Sequence, residues 1–247
     1  MTTIGATDTR SIKLDKFSIS DYKLDFGLQY TYKLNKKNTI NIGAVYTLGR
    51  TLHGDAYKYH QTGAESNGSI YVQSQTGDTI PNPFKMPHTF GIGLTYVYDN
   101  RLTIGVDYTL QKWNTADLAW SKFNKESVEM NSRTKIAFGA EFVPSYISHN
   151  YLKRIRYRMG AYYSSPYNKV SYTSPDTGTT SFQDGAREYG VSIGFGLPMF
   201  QSKSMLNISG QYIKVSPKFK GLMEENYLRI NIGLTFNERW FMKWKVD

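Results

Sequence analysis

Three arginines, Arg154, Arg156 and Arg158, recur at every second position of one short segment. On an extended strand that spacing aims all of them at the same face, so they form a ladder of guanidinium groups. Asp107, Glu141 and Glu188 fall on the matching register of other segments and are the natural counterions, while Arg229 adds a further cation. Such a set suits ion pairs and hydrogen bonds that stiffen a polar interior, because a charge removed from water needs a partner. A selective path for anions along the arginines is the secondary reading. His53, Asp55 and His60 lie close in sequence, but ligands strung along one unconstrained loop make a poor cage, and no metal is expected. His88 and His149 have no nucleophile or orienting group in a recognisable motif, so the chain does not read as an enzyme and no cofactor is expected.

The elements that must hold these side chains are strands. From Tyr22 to Leu34, the residues Tyr22, Leu24, Phe26, Leu28, Tyr30, Tyr32 and Leu34 alternate with Lys23, Asp25, Gly27, Gln29, Thr31 and Lys33. Successive side chains of a strand point to opposite faces, so the pattern describes a wall with one greasy and one wet surface. It recurs in about nine stretches, ending with Leu228, Ile230, Ile232, Leu234 and Phe236 against Tyr227, Arg229, Asn231, Gly233 and Thr235. Segments of roughly 10 residues with this alternation are what a transmembrane barrel uses. The expected fold is therefore all-β, a transmembrane antiparallel up-and-down β-barrel. Connections alternate between short, as at Asn35-Lys36-Lys37-Asn38 and Asn100-Arg101, and long, as after His53 and Asn114. Bacterial barrels keep short turns in the periplasm, which puts the C-terminus there.

Composition is consistent with that destination. No run of about 18 apolar residues is present, which excludes a helical membrane protein. The mean hydropathy of -0.49 is what a barrel with one wet face gives. The tyrosines at strand ends, among them Tyr30, Tyr32, Tyr96, Tyr98, Tyr108, Tyr163, Tyr189 and Tyr212, suit the boundary between hydrocarbon and headgroups. The net charge of +10 is dispersed, with no nucleic-acid-binding signature, so the expected counterpart is outer-membrane lipid or lipopolysaccharide and not nucleic acid. There is no cysteine, which removes thiol chemistry.

Residues 1–21 read as an extracellular loop or the end of a preceding strand, 22–237 as outer-membrane strands and loops, and 238–247 as a periplasmic tail. Met1–Ser20 lacks the apolar centre of a signal peptide. Counting strands back from the C-terminus gives an odd number, whereas single-chain bacterial barrels have even ones. Either Ile12–Ser20 belongs to a further strand or the chain is the C-terminal part of a longer protein, and the second is preferred.

Glycines concentrate on the polar register: Gly27, Gly43, Gly49, Gly91, Gly93, Gly105, Gly139, Gly160, Gly190, Gly194, Gly196 and Gly233, against Gly210 alone on the apolar one. Inward glycines leave room for a plug packed on the wall, or they serve curvature alone. The long loops carry Tyr57, Phe84, Trp120 and Phe123, which would cap the barrel or form a greasy entrance for a hydrophobic small molecule.

Gly194-Phe195-Gly196-Leu197-Pro198, Leu206-Asn207-Ile208 and the run from Glu225 to Phe241 resemble the C-terminal end of FadL-type outer-membrane transporters of hydrophobic compounds, in their Bacteroidota branch. The resemblance implies a barrel of about 14 strands with an internal plug, of which this chain would hold the later part. It also implies a multi-pass bacterial outer-membrane protein that binds or transports hydrophobic small molecules such as fatty acids. The alternative is a non-transporting structural subunit of an outer-membrane secretion or assembly complex, with outer-membrane proteins as partners. No ligand-binding motif of that family is present, so no binding residue carries over.

Overall fold

The computed structural model describes residues 9–66, 69–116, 129–173, 180–199, 204–217 and 223–236. In chain order the strands are β1 (Thr9–Ile19), β2 (Asp25–Lys33), β3 (Asn38–Thr47), β4 (Gly54–Ser66), β5 (Ser69–Pro81), β6 (Thr89–Tyr98) and β7 (Leu102–Gln111). They continue as β8 (Arg133–Phe142), β9 (Arg156–Ser164), β10 (Lys169–Thr173), β11 (Thr180–Asp184), β12 (Ala186–Pro198), β13 (Met205–Pro217) and β14 (Glu225–Thr235). Nine of these form one antiparallel sheet in the order β14-β13-β12-β9-β8-β7-β6-β3-β2. The order is an up-and-down meander with two excursions, where β4–β5 leave between β3 and β6 and β10–β11 leave between β9 and β12.

Turn chemistry fixes the short end. Between β6 and β7, Asp99 and Asn100 both adopt left-handed backbone (φ 50° and 52°), and Arg101 N–H donates to the Tyr98 carbonyl at 2.8 Å. Two left-handed central residues match the right-handed twist of the flanking strands, and Asp and Asn tolerate them best after glycine. Between β2 and β3, Asn35 Oδ1 accepts the backbone N–H groups of Lys37 and Asn38, both at 2.9 Å.

The cross-strand register carries each polar residue onto the same face as its neighbours. One row runs Glu141, Arg158, Gly194, Ser209, Asn231, and the adjacent one runs Gly105, Gly139, Gly160, Ser192, Gln211, Arg229. The opposite face is apolar and uncovered, from Leu28 (76% exposed) through Ile92 and Ile193 to Ile230 (68%). Buried apolar residues such as Ala56, Ile80, Val143, Ile155 and Ile213 lie mainly near strand ends and excursions, so the wall is not folded around a core of its own.

The all-β antiparallel expectation holds, and the described residues form an open sheet: β2 and β14 are its edges, and among these residues neither has a partner on its outer side. Two expectations are revised. The chain after His53 is not an irregular loop but a long hairpin, β4–β5, whose β4 is flanked by β1 in a second three-stranded sheet. The arginine ladder shortens, because Tyr151–Arg154 is a helical turn. Asn150 caps that turn, its side chain accepting from Leu152 N–H at 3.0 Å, and Arg154 falls inside it and off the strand.

Candidate functional site

On the polar face of β8–β14 the charged side chains are wired together. Arg158 donates from Nε to Glu141 Oε2 (2.7 Å) and from Nη1 to Asn207 Oδ1 (2.8 Å), while Arg156 Nη1 reaches Glu141 Oε1 at 3.2 Å. Each oxygen of Glu141 thus takes one guanidinium. Three rows away along β12, Glu188 accepts the Tyr162 hydroxyl on one oxygen and lies 3.8 Å from Arg133 Nη2 on the other. Arg133 Nε also donates to Ser164 Oγ at 2.7 Å, and the Lys135 ammonium stands 4.7 Å above the Tyr162 ring. Arg158 and Glu141 keep 38% and 26% of their side-chain surface in solvent, so each pair is worth only about 0–1 kcal/mol by itself. The network holds its members by shared geometry instead.

Glycine makes room for it. A methyl group at Gly190 would run into the Tyr162 ring, one at Gly194 would lie 3.1 Å from Ser209 Cβ, and one at Gly196 would lie 3.1 Å from Arg156 Cβ. The wall β2–β7 is different. Gly27 has nothing within 4 Å of the missing Cβ, Gly43 only a carbonyl at 4.0 Å, and Gly91 nothing nearer than 3.8 Å. There an open hollow of about 440 Å³ is bordered by Gln29, Asn41, Gly43, Thr95 and Asp107. Asp107, on β7, lies over Gly93 and joins none of the arginines in an ion pair within the described residues. Arg229 lies on β14 opposite Gln211.

A third cluster pins the small sheet to the wall. Asp21, between β1 and β2, accepts the backbone N–H of His53 (2.9 Å) and of Tyr22 (2.8 Å) and pairs with Arg50 Nη1 at 3.3 Å and His53 Nδ1 at 3.2 Å. Arg50 in turn lies 4.1 Å over the Tyr22 ring. Only 5% of the Asp21 side chain is exposed. The His53 amide, helped by the Tyr22 amide, the His53 ring and the Arg50 charge, holds the carboxyl down at about 2 against the opposing effect of burial. His53 is therefore committed to this clasp. Tyr57, on β4, stacks on Tyr59 with centroids 6.4 Å apart, and Phe84 packs against Phe17 of β1 at 5.5 Å. Trp120 and Phe123 lie outside the described residues.

Strand alternation brings Arg156, Arg158 and Glu141 together, but it does not single out Asn207, Tyr162, Arg133 or Asp21. The first three lie on the polar register, so a full pairing table would have found them. Asp21 gains its role only because β1 docks on β4, a contact with no local signal.

These features define a class: an all-β protein built on a two-faced antiparallel sheet. Over residues 2–247 the chain matches the BamG family, and it belongs to that family. Family and fold together associate it with the outer membrane. No curated protein and no solved structure matches. The match overturns the resemblance to FadL-type transporters, whose supporting residues now have a plainer reading. Gly194–Pro198 lies on β12 and residues 225–235 form β14, where alternation is a requirement of any two-faced wall and Gly194 and Gly196 make room for Ser209 and Arg156.

Proposed function

We propose that this chain is a non-transporting structural subunit of an outer-membrane assembly complex, carried in the membrane as part of a closed β-barrel wall. The observation that carries the reading is the match to the BamG family, a component of the BAM complex, across 2–247. The apolar face supports the membrane setting, since a soluble protein rarely leaves so continuous an apolar surface open. Hydrocarbon offers no partner to an unpaired backbone, so both sheet edges are closed in place. With nine strands in antiparallel succession, β2 and β14 run in the same direction, and antiparallel closure takes an odd number of additional strands. The short turns then face the periplasm, with the C-terminus, and the β1-β4-β5 sheet faces outward, where it is available to partner proteins.

The test is to solubilise outer membranes gently and follow the tagged chain on native gels. It should migrate with the assembly complex in fixed proportion, and its depletion should lower the amount of folded outer-membrane barrels. A chain that migrates alone, with barrel assembly unaffected by its loss, overturns the proposal. The membrane setting has its own check, because a Lys at the midplane of the lipid face costs ~2–4 kcal/mol. Ile230→Lys should therefore block assembly far more than Asn231→Lys, and equal tolerance would refute the assigned faces.

A further inference from the structure

We propose that the polar face of β9–β14 carries a binding site for a phosphate-class anion, either free phosphate or the phosphate of a lipid headgroup. The site is an open hollow of about 300 Å³ bordered by Arg158, Ser192, Asn207, Ser209, Gln211 and Asn231. Its polar side chains are hydroxyls, amides and one guanidinium, and no carboxylate borders it. Charge around it is unbalanced: among the described residues Arg156 and Arg158 share the single carboxylate of Glu141, an excess of one positive charge in that corner. Across the polar face of β8–β14, Arg133, Lys135, Arg156, Arg158 and Arg229 stand against Glu141, Glu188 and Glu225. On β2–β7 the sign is reversed, with Lys33 against Asp25 and Asp107.

Geometry sharpens the charge argument. Glu141 and Asn207 together fix the plane of Arg158, so its remaining donors are oriented before any ligand arrives and little side-chain freedom is lost on binding. Donors come from β9, β12, β13 and β14 at once, on residues set side by side by the register. A tetrahedral anion with several oxygens can use such a spread of directions, and guanidinium binds phosphate through paired hydrogen bonds.

The experiment uses the full chain purified in a non-ionic detergent at about 0.15 M salt, where long-range attraction is screened. Inorganic pyrophosphate is titrated calorimetrically, and micelles holding short-chain phosphatidic acid are titrated in parallel. Saturable binding is expected, weakened about tenfold by Arg158→Gln, the loss of one charge-assisted contact. Glu141→Gln, which frees two guanidiniums from their shared counterion, should tighten binding, and Asp107→Asn on the other wall should leave it unchanged. Pyrophosphate binding identifies a soluble source, and binding of the micelles alone identifies a lipid headgroup. Circular dichroism confirms that each variant is folded, and the opposite signs expected for Arg158→Gln and Glu141→Gln separate binding from a loss of structure. No saturable binding of either probe, or binding indifferent to both substitutions, overturns the site.

Discussion

On β12, three polar-face glycines are buried because the wall's own side chains fill the space above them, whereas on β2 the polar-face Gly27 stands open. Tyr162 covers Gly190, Ser209 presses on Gly194, and Met205 and Arg156 press on Gly196; of these, Tyr162 is tied to Glu188 and Arg156 to Glu141. Among the described residues, nothing stands nearer than 4.0 Å to the missing Cβ of Gly27 or Gly43, and Gly91 meets only Val45 Cβ at 3.8 Å and two backbone carbonyls beyond it. The same residue type therefore serves two purposes on one sheet. On β12 it is a packing partner for neighbouring side chains, and at Gly27 and Gly43 it leaves a hollow, while Gly93 beneath Asp107 and the uncovered Gly139 and Gly233 show that each position is decided by its own neighbour. Glycine costs strand stability relative to alanine wherever it gains nothing in packing, so only the first use has an energetic return within the described residues.

The largest expected effect breaks the comparison at its centre. Gly190→Ala drives a methyl group into the Tyr162 ring, and overpacking of that kind costs about 1–3 kcal/mol. Gly43→Ala meets open space and should instead stabilise the strand, by up to about 1 kcal/mol. Urea titration of the detergent-folded protein, read by tryptophan fluorescence, measures both. If the two substitutions shift the midpoint in the same direction, the halves do not differ as described.

A smaller effect separates the two sets of charges. Glu141→Gln removes the counterion shared by Arg156 and Arg158 and leaves two guanidiniums facing each other, for a loss of about 1–2 kcal/mol given their partial exposure. Asp107→Asn removes a carboxylate that joins no such network among the described residues, and should change stability by less than about 0.5 kcal/mol. Raising the salt concentration should shrink the first loss and leave the second unaltered.

Much of this contrast is written in the sequence, and the parts that are not share a cause. Period-two alternation specifies which residues share a face, so Arg156, Arg158 and Glu141 could be placed together without a structure. Arg154 follows the same spacing yet leaves the strand, because Asn150 offers a helix cap and that local interaction outweighs alternation at a strand end. The β4–β5 hairpin was hidden by its composition, since Gly54–Ser66 and Ser69–Pro81 alternate weakly and read as loop. Whether a glycine is covered depends on which side chain the neighbouring strand sets beside it. Tyr162 faces Gly190 and Asp107 faces Gly93, facts of pairing that no single segment contains.

The open half lacks the charged buttress and is held by the Asp21 clasp at the end that carries the β1-β4-β5 sheet, which makes acid the gentlest way to tell the halves apart. The Asp21 carboxyl is held at about 2 in the folded protein, below its ordinary value of 3.8. A depressed folded value means that ionisation favours the folded clasp: its contribution is complete above the unfolded value and is lost as pH falls from roughly 4 through 2. Amide hydrogen exchange at Ser20 and His53 reports the clasp directly, because Ser20 N–H donates to the His53 carbonyl at 3.3 Å and His53 N–H donates to Asp21 at 2.9 Å. Exchange rates vary with pH by themselves, so the informative quantity is the ratio between the native chain and Asp21→Asn at each pH. Above about pH 4 the native chain should be the better protected, and the advantage should fade as pH drops toward 2. Amides of β9 and β12, in the charged half, should show no such difference between the two proteins. An advantage that persists unchanged at pH 2, or that spreads to β9 and β12, would mean that the clasp is not an independent fastening of the open half.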